Sequence, residues 1–308
     1  MRAVGRQTNR RRAEVRPAVA WAANPFVDPF IDNEFMRHAL IGSLLVALVC
    51  AVTGTYVVLR GLSFVGDALA HGVVPGIAVA LIAGFSGVLG AAAGAALMMG
   101  AVSLITRKSR LSSDTSIGLA FVGMLALGVI ITSRSRSFVG DITRILFGEL
   151  LGVSTSDLWW QFAALVVVGA VAFVAHRPFV LMSIDDGLAR TSGFSVPFFH
   201  SLMLALVGLT VVASFQSVGT LLVLGMLVAP AASGALVARR VSTMMLVAAV
   251  YGSLASYVGL LVSFHYDFAA GGSIVLTSVV LFALTAIVSQ LASRRNTAEI
   301  PHQHEHRH

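Results

Sequence analysis

From Gly61 to Leu111 the chain carries ionisable side chains at five positions only: Asp67, His71, Arg107, Lys108 and Arg110. Similar charge-free stretches recur to about residue 292. Apolar runs of about 20 residues are long enough to cross the roughly 30 Å hydrocarbon core as helices. They fall near 38–59, 64–83, 86–105, 115–133, 157–175, 197–215, 218–238, 243–264 and 271–292. The expected fold is therefore all-α: a polytopic membrane protein of about eight to nine transmembrane helices, the second short or interrupted. Composition agrees, with 57% hydrophobic and 11% charged residues against roughly 25% charged in a soluble domain. A water-soluble enzyme is excluded on that ground.

The net charge of +7 does not indicate nucleic acid, because long uncharged stretches separate the basic residues. Lys108 is the single lysine among the 21 Lys and Arg residues. A P-loop needs glycines six residues and one residue before its lysine, and Val102 and Arg107 stand there. The chain is expected to have no ATPase site of its own. One cysteine, Cys50, excludes an intrachain disulfide and a multi-cysteine metal site.

Residues 1–35 read as an Arg-rich mobile tail. They are no signal peptide, since Asn24, Pro25, Asp28, Pro29, Asp32 and Glu34 separate the arginines from the first apolar run. Residues 36–293 form the membrane domain and 294–308 a tail. Small residues recur inside the spans (Gly90, Gly94, Gly225, Gly234), as close helix packing in lipid requires. Ordinary packing explains most of them.

Ten basic residues alternate onto one side: Arg60, Arg107, Lys108, Arg110, Arg177, Arg190, Arg239, Arg240, Arg294 and Arg295. Four (Arg37, Arg134, Arg136, Arg144) fall on the other. The excess marks the first side as cytoplasmic, with the N-terminus outside. The six tail arginines oppose this assignment, but they lie about 20 residues or more from the first span, where the rule loses force.

Asp67 and His71 lie within the second apolar run, and i,i+4 spacing puts them on one helix face. Helical rise from Arg60 would set them about 10 and 16 Å into the bilayer. Ionisable groups at such depth mark functional sites by default. A carboxylate with an imidazole suits Zn, Mn or Fe. Two ligands are too few for tight binding, whereas a two-fold dimer would present four. A proton relay or a buried pair that merely packs fits the same two residues.

Other polar positions carry less. Glu149, His265 and Asp267 could line an outer vestibule, although a solvated interfacial position is the better explanation of Glu149 and a plain polar loop explains the other two equally. The stretch 141–152 reads as interfacial or re-entrant, and Pro230 as a packing kink. The closing PHQHEHRH, with four alternating histidines, can hold transition metals loosely.

The stretch VVLRGLSFVGDALAHGVVPGIA (57–78), the loop DDGLARTSGFSV (185–196), VGTLLVLGMLVAPAASG (218–234) and DFAAGGSIVL (267–276) together resemble permease subunits of bacterial ABC importers for zinc, manganese or iron. The resemblance covers roughly residues 36–293. It implies a homodimer in the bacterial plasma membrane, cytoplasmic ATP-binding subunits, an extracellular or periplasmic metal-binding protein and no permanently bound cofactor. Asp67 and His71 match the family's metal-contacting pair. Asp185, Asp186, Ala189, Arg190 and Gly193 match its ATPase-coupling loop. The Arg-rich start and DFAAGG, in place of the commoner Asp-Leu-Pro-x-Gly, depart from the pattern.

Three functions follow. One is a metal permease alternating access around Asp67/His71. A second is a proton-coupled secondary transporter with that pair as relay, for which inverted repeats would speak, and none is evident. An intramembrane enzyme fits worst: no HExxH occurs, and GLSFVG puts Val65 where a nucleophile elbow needs its last glycine.

Overall fold

The computed structural model describes residues 25–109, 111–133 and 150–298. All regular structure among them is helical. In chain order the elements are α1 (Asp28–Asp32), α2 (Glu34–Leu59), α3 (Phe64–Ile82), α4 (Gly87–Lys108), α5 (Ser113–Ser133), α6 (Thr155–Val174), α7 (His176–Ile184), α8 (Asp186–Thr191), α9 (Val196–Val237), α10 (Val241–Tyr266) and α11 (Ala270–Ala298). Among the described residues eight helices are long and apolar enough to cross a membrane, and Leu221–Val237 adds a shorter apolar helix. The expected eight to nine spans are thus present.

α2 is the hub, packed against α6, α9 and α10. Its buried hydroxyls find acceptors without water: Thr53 donates to the Val49 carbonyl and Thr55 to that of Ala51. Lipid leaves no other solution for such groups. α3, α4 and α5 pack together as a second group, joined to the rest through contacts of α3 and α4 with α9. Helix starts follow local chemistry. Ser154 and Asp157 form a reciprocal capping box at the start of α6, and Ser86 accepts from the Leu89 amide at the start of α4. Trp159 and Trp160 stand exposed one turn into α6, the position interfacial tryptophans favour.

The 42-residue α9 is not one rod, because Gly219 inside it has φ 76° and ψ 160°. Only glycine holds that backbone readily. On the first arm, Phe199 meets Phe179 edge to face, and Phe179 meets Tyr56 likewise, while Thr210 bonds Thr53, so this arm runs opposite to α2. On the second arm, the Val223 carbonyl accepts from Cys50, and Leu227 and Ala231 face Gly54, so that arm runs with α2. The chain therefore reverses at Gly219, and the two arms correspond to the separate runs expected at 197–215 and 218–238.

α3 is short, at 19 residues, and Pro75 lies inside it without ending it. The second span is short rather than broken; the broken backbone belongs to α9. α3 and α4 run antiparallel at close range, Gly72 against Met98 and Gly76 against Gly90 and Gly94. α10 opposes α2, Gly252 meeting Ala47 and Ser256 donating to the Ser43 carbonyl. These directions bring Arg60, Lys108, Arg177, Arg190, Arg239 and Arg240 to one end of the bundle, as the alternation of basic residues requires.

Two expected boundaries shift. The tail expected over 1–35 gives way to helix at Asp28, where Phe30 stacks on Tyr257 at 5.4 Å and Tyr257 donates to the Phe26 carbonyl. Burying that aromatic contact fixes the last residues before α2. At the other end α11 runs on to Ala298, past the limit expected at 293. Residues 1–24, Arg110, the segment 134–149 with Glu149, and the histidine-rich end lie outside the described residues.

Candidate functional site

α2 closes on Arg60, the chain turns through Gly61, and α3 starts at Phe64. Because the helix begins there rather than at Arg60, the rise to Asp67 is smaller than continuous helix would give. Asp67 lies about 5 Å and His71 about 10 Å along α3 from its first residue. Asp67 thus sits in the first turn, where unpaired amides favour a carboxylate. The pair occupies the half of α3 nearest the basic end of the bundle.

The two side chains meet, with His71 Nε2 3.5 Å from Asp67 Oδ1. They remain about one third exposed, at 32% and 37%. Their immediate neighbours Gly66, Ala68, Leu69, Ala70 and Gly72 are all buried. Phe64, Asp67, His71 and Val74 therefore form one open stripe along the first half of α3, whose other residues there pack against α4, α5 and α9, while Val79, Leu81 and Ile82 are exposed at its far end. The edge of the Phe121 ring, from α5, borders His71 at 5.5 Å. No cluster of three or more His, Cys, Asp or Glu able to hold a metal occurs among the described residues. One chain thus offers two ligands of the kind Zn, Mn and Fe accept, turned toward whatever covers the stripe.

The segment after α7 is built as a projecting turn. Asp185 caps α8, its carboxylate accepting from the Leu188 amide at 2.9 Å. Ala189 is fully buried, whereas Leu188 and Arg190 are exposed. Gly193 has φ 85°, and the amides of Gly193 and Phe194 return to the carbonyls of Arg190 and Ala189. Those bonds make the left-handed closure that glycine supplies. Asp186 turns back to the bundle and accepts from Arg60 at 3.1 Å. The sequence used Arg60 only to mark an interface. Nothing local could have paired residues 126 positions apart. Tyr56 and His176, hydrogen-bonded at 2.8 Å, escaped notice for the same reason.

His265 and Asp267 stand at the opposite end of the bundle from the pair. His265 Nδ1 lies 2.9 Å from the Leu261 carbonyl, and Asp267 ends α10 in the left-handed region. The structure does not bring them to Asp67 and His71.

The chain is 34% identical over 264 residues to the manganese transport system membrane protein MntC of Halalkalibacterium halodurans, covering 86% of this chain and 90% of that protein. It is also 34% identical over 273 residues to the chelated iron transport system membrane protein YfeD of Yersinia pestis, covering 87% and 89%. Among solved structures, PsaBC from Streptococcus pneumoniae in complex with Fab aligns with a TM-score of 0.75 at 33% identity, over 84% of this chain and 94% of that one. The model of the ABC 3 transport family matches residues 32–289. With its eight apolar helices, the chain is a multi-pass protein of the bacterial plasma membrane and belongs to the ABC 3 transport family.

Proposed function

We propose that this chain is the membrane-spanning permease of an ABC importer for a divalent transition-metal ion, zinc, manganese or iron, and that Asp67 and His71 contact the ion in transit. The pair on α3, about one third exposed, carries the reading, because it is the place in the described membrane helices where a carboxylate and an imidazole converge. Two copies meeting along the Phe64–Asp67–His71–Val74 stripe would offer four ligands, and four is the usual number for zinc.

Alternating access then means that the stripes of two copies part first on one side of the membrane and then on the other, with ATP spent by separate subunits that dock on the α8 turn. An external metal-binding protein delivers the ion to the opposite end, where His265 and Asp267 lie. Relatives named for manganese and for chelated iron transport support a transition-metal cargo. Oxygen and nitrogen ligands leave the choice among zinc, manganese and iron to experiment.

The test is uptake of radioactive manganese, zinc and iron by cells depending on this chain. Asp67→Ala and His71→Ala are each expected to lower uptake at least tenfold at equal membrane abundance. Unchanged uptake in both would remove the pair from the path. Transport by the purified chain in vesicles, driven by a pH gradient without any ATPase, would overturn the ABC reading in favour of a proton-coupled carrier.

A further inference from the structure

The α8 turn and the Asp67/His71 helix are separated by more than a hundred residues, yet one side chain joins them. Arg60 is the residue between α2 and the turn into α3, seven positions before Asp67. Its Nη2 donates to Asp186 at 3.1 Å, and the Arg60 side chain is only 13% exposed. Among the described residues its Nη1 is buried and has no hydrogen-bond partner. Burying a guanidinium that leaves a donor unsatisfied costs free energy, so packing alone does not explain its position.

The surroundings make the contact a joint rather than a surface ion pair. α8 rests on α7 and the start of α9, where Met182, Ala189 and Val196 form a small core with Leu181 and Phe199. Phe179, Phe199 and Phe194 continue that core as edge-to-face rings. The elbow from His176 to Gly193 is thus one packed body. It meets the last turn of α2 at two places: Tyr56 with His176 and Phe179, and Arg60 with Asp186. The second contact falls where α2 hands over to α3, so displacing α8 pulls on the first turn of the helix that carries Asp67.

We infer that Arg60 is a positioning residue that transmits movement of the α8 turn to the Asp67/His71 stripe, through Asp186. This rests on the permease reading above. It adds a component to that reading, since neither Arg60 nor Asp186 contacts the ion.

The experiment reconstitutes the full complex, permease with its ATPase and the external metal-binding protein, in proteoliposomes, and measures ATP hydrolysed and metal ion moved in the same sample. Complex assembly is quantified for each variant. Arg60→Gln is expected to assemble and hydrolyse ATP while the number of ATP molecules per ion rises about tenfold, the scale of one lost contact between interacting residues. Arg60→Lys keeps the charge and should recover part of the ratio. Asp186→Asn should raise the ratio similarly, and the double variant should be no worse than either single one, because both remove one interaction. An unchanged ratio in Arg60→Gln, or single losses that multiply in the double variant, overturns the inference. Should Arg60→Gln fail to assemble, the ratio in the half-exposed Asp186→Asn decides it, and a normal ratio there counts against the joint. Failure of the wild-type complex to move any of the three metals would instead defeat the permease reading, so the two failures are distinguishable.

Discussion

Asp67 and His71 were found in the sequence because an ionisable group inside an apolar run has few innocuous explanations. The structure adds their exposure: a packing-only pair would be enclosed, whereas these side chains are one third open while the residues beside them on α3 are buried. Small residues act at the same scale. A Cβ on Gly76 would collide with the backbones of Gly90 and Gly94, so α3 and α4 can lie this close only without it. Gly76→Leu is expected to lower stability by about 1–3 kcal/mol through overpacking, read as a lower thermal midpoint in detergent. Gly100, whose Cβ would meet nothing within 4 Å, should accept alanine with little change. A Gly76→Leu midpoint equal to wild type would mean that the α3–α4 approach is not a determinant of the fold.

At the scale of elements, α9 shows how one residue changes topology. Hydropathy divides 197–215 from 218–238 correctly, yet it says nothing about how the chain passes between them. The passage is made at Gly219, in a backbone region closed to other residues. Gly219→Ala should cost about 1–3 kcal/mol from strain alone, with the second arm drawn away from Cys50 and Gly54. Thiol labelling would detect this, since Cys50 is fully buried now and should become reactive. Continued protection of Cys50 together with wild-type stability would contradict the reversal. The α8 turn was legible in sequence as the polar interruption at 185–196, because a short capped helix with a closing glycine uses local chemistry. Its tie to Arg60 was not, since that tie depends on how α2 and α7 happen to pack.

At the scale of the molecule, the uncovered Phe64–Asp67–His71–Val74 stripe is the face through which we propose two copies meet. Phe64 is 71% exposed there, so Phe64→Cys should form a disulfide-linked dimer in native membranes under mild oxidation. Phe173→Cys, equally apolar and exposed on α6, should not. Buried Cys50 offers no competing thiol. Cross-linking through Phe173 instead of Phe64 would place the partner on another face and leave each Asp67/His71 pair without its counterpart.

The sequence by itself determined the membrane, a range of eight to nine spans, the end of the bundle at which basic residues gather, the Asp/His pair and the absence of a P-loop. All are properties of single segments. Lipid imposes them directly, through segment length, hydropathy and the cost of a misplaced charge. Only the tertiary structure decided the reversal at Gly219, the open face of α3, the shallower start of its helix and the contact between Arg60 and Asp186. Each depends on which helix lies beside which. In a chain where nearly every face is apolar, hydrophobicity does not distinguish neighbours. Close approach at glycines and a few polar contacts make that choice, and they join residues far apart in sequence.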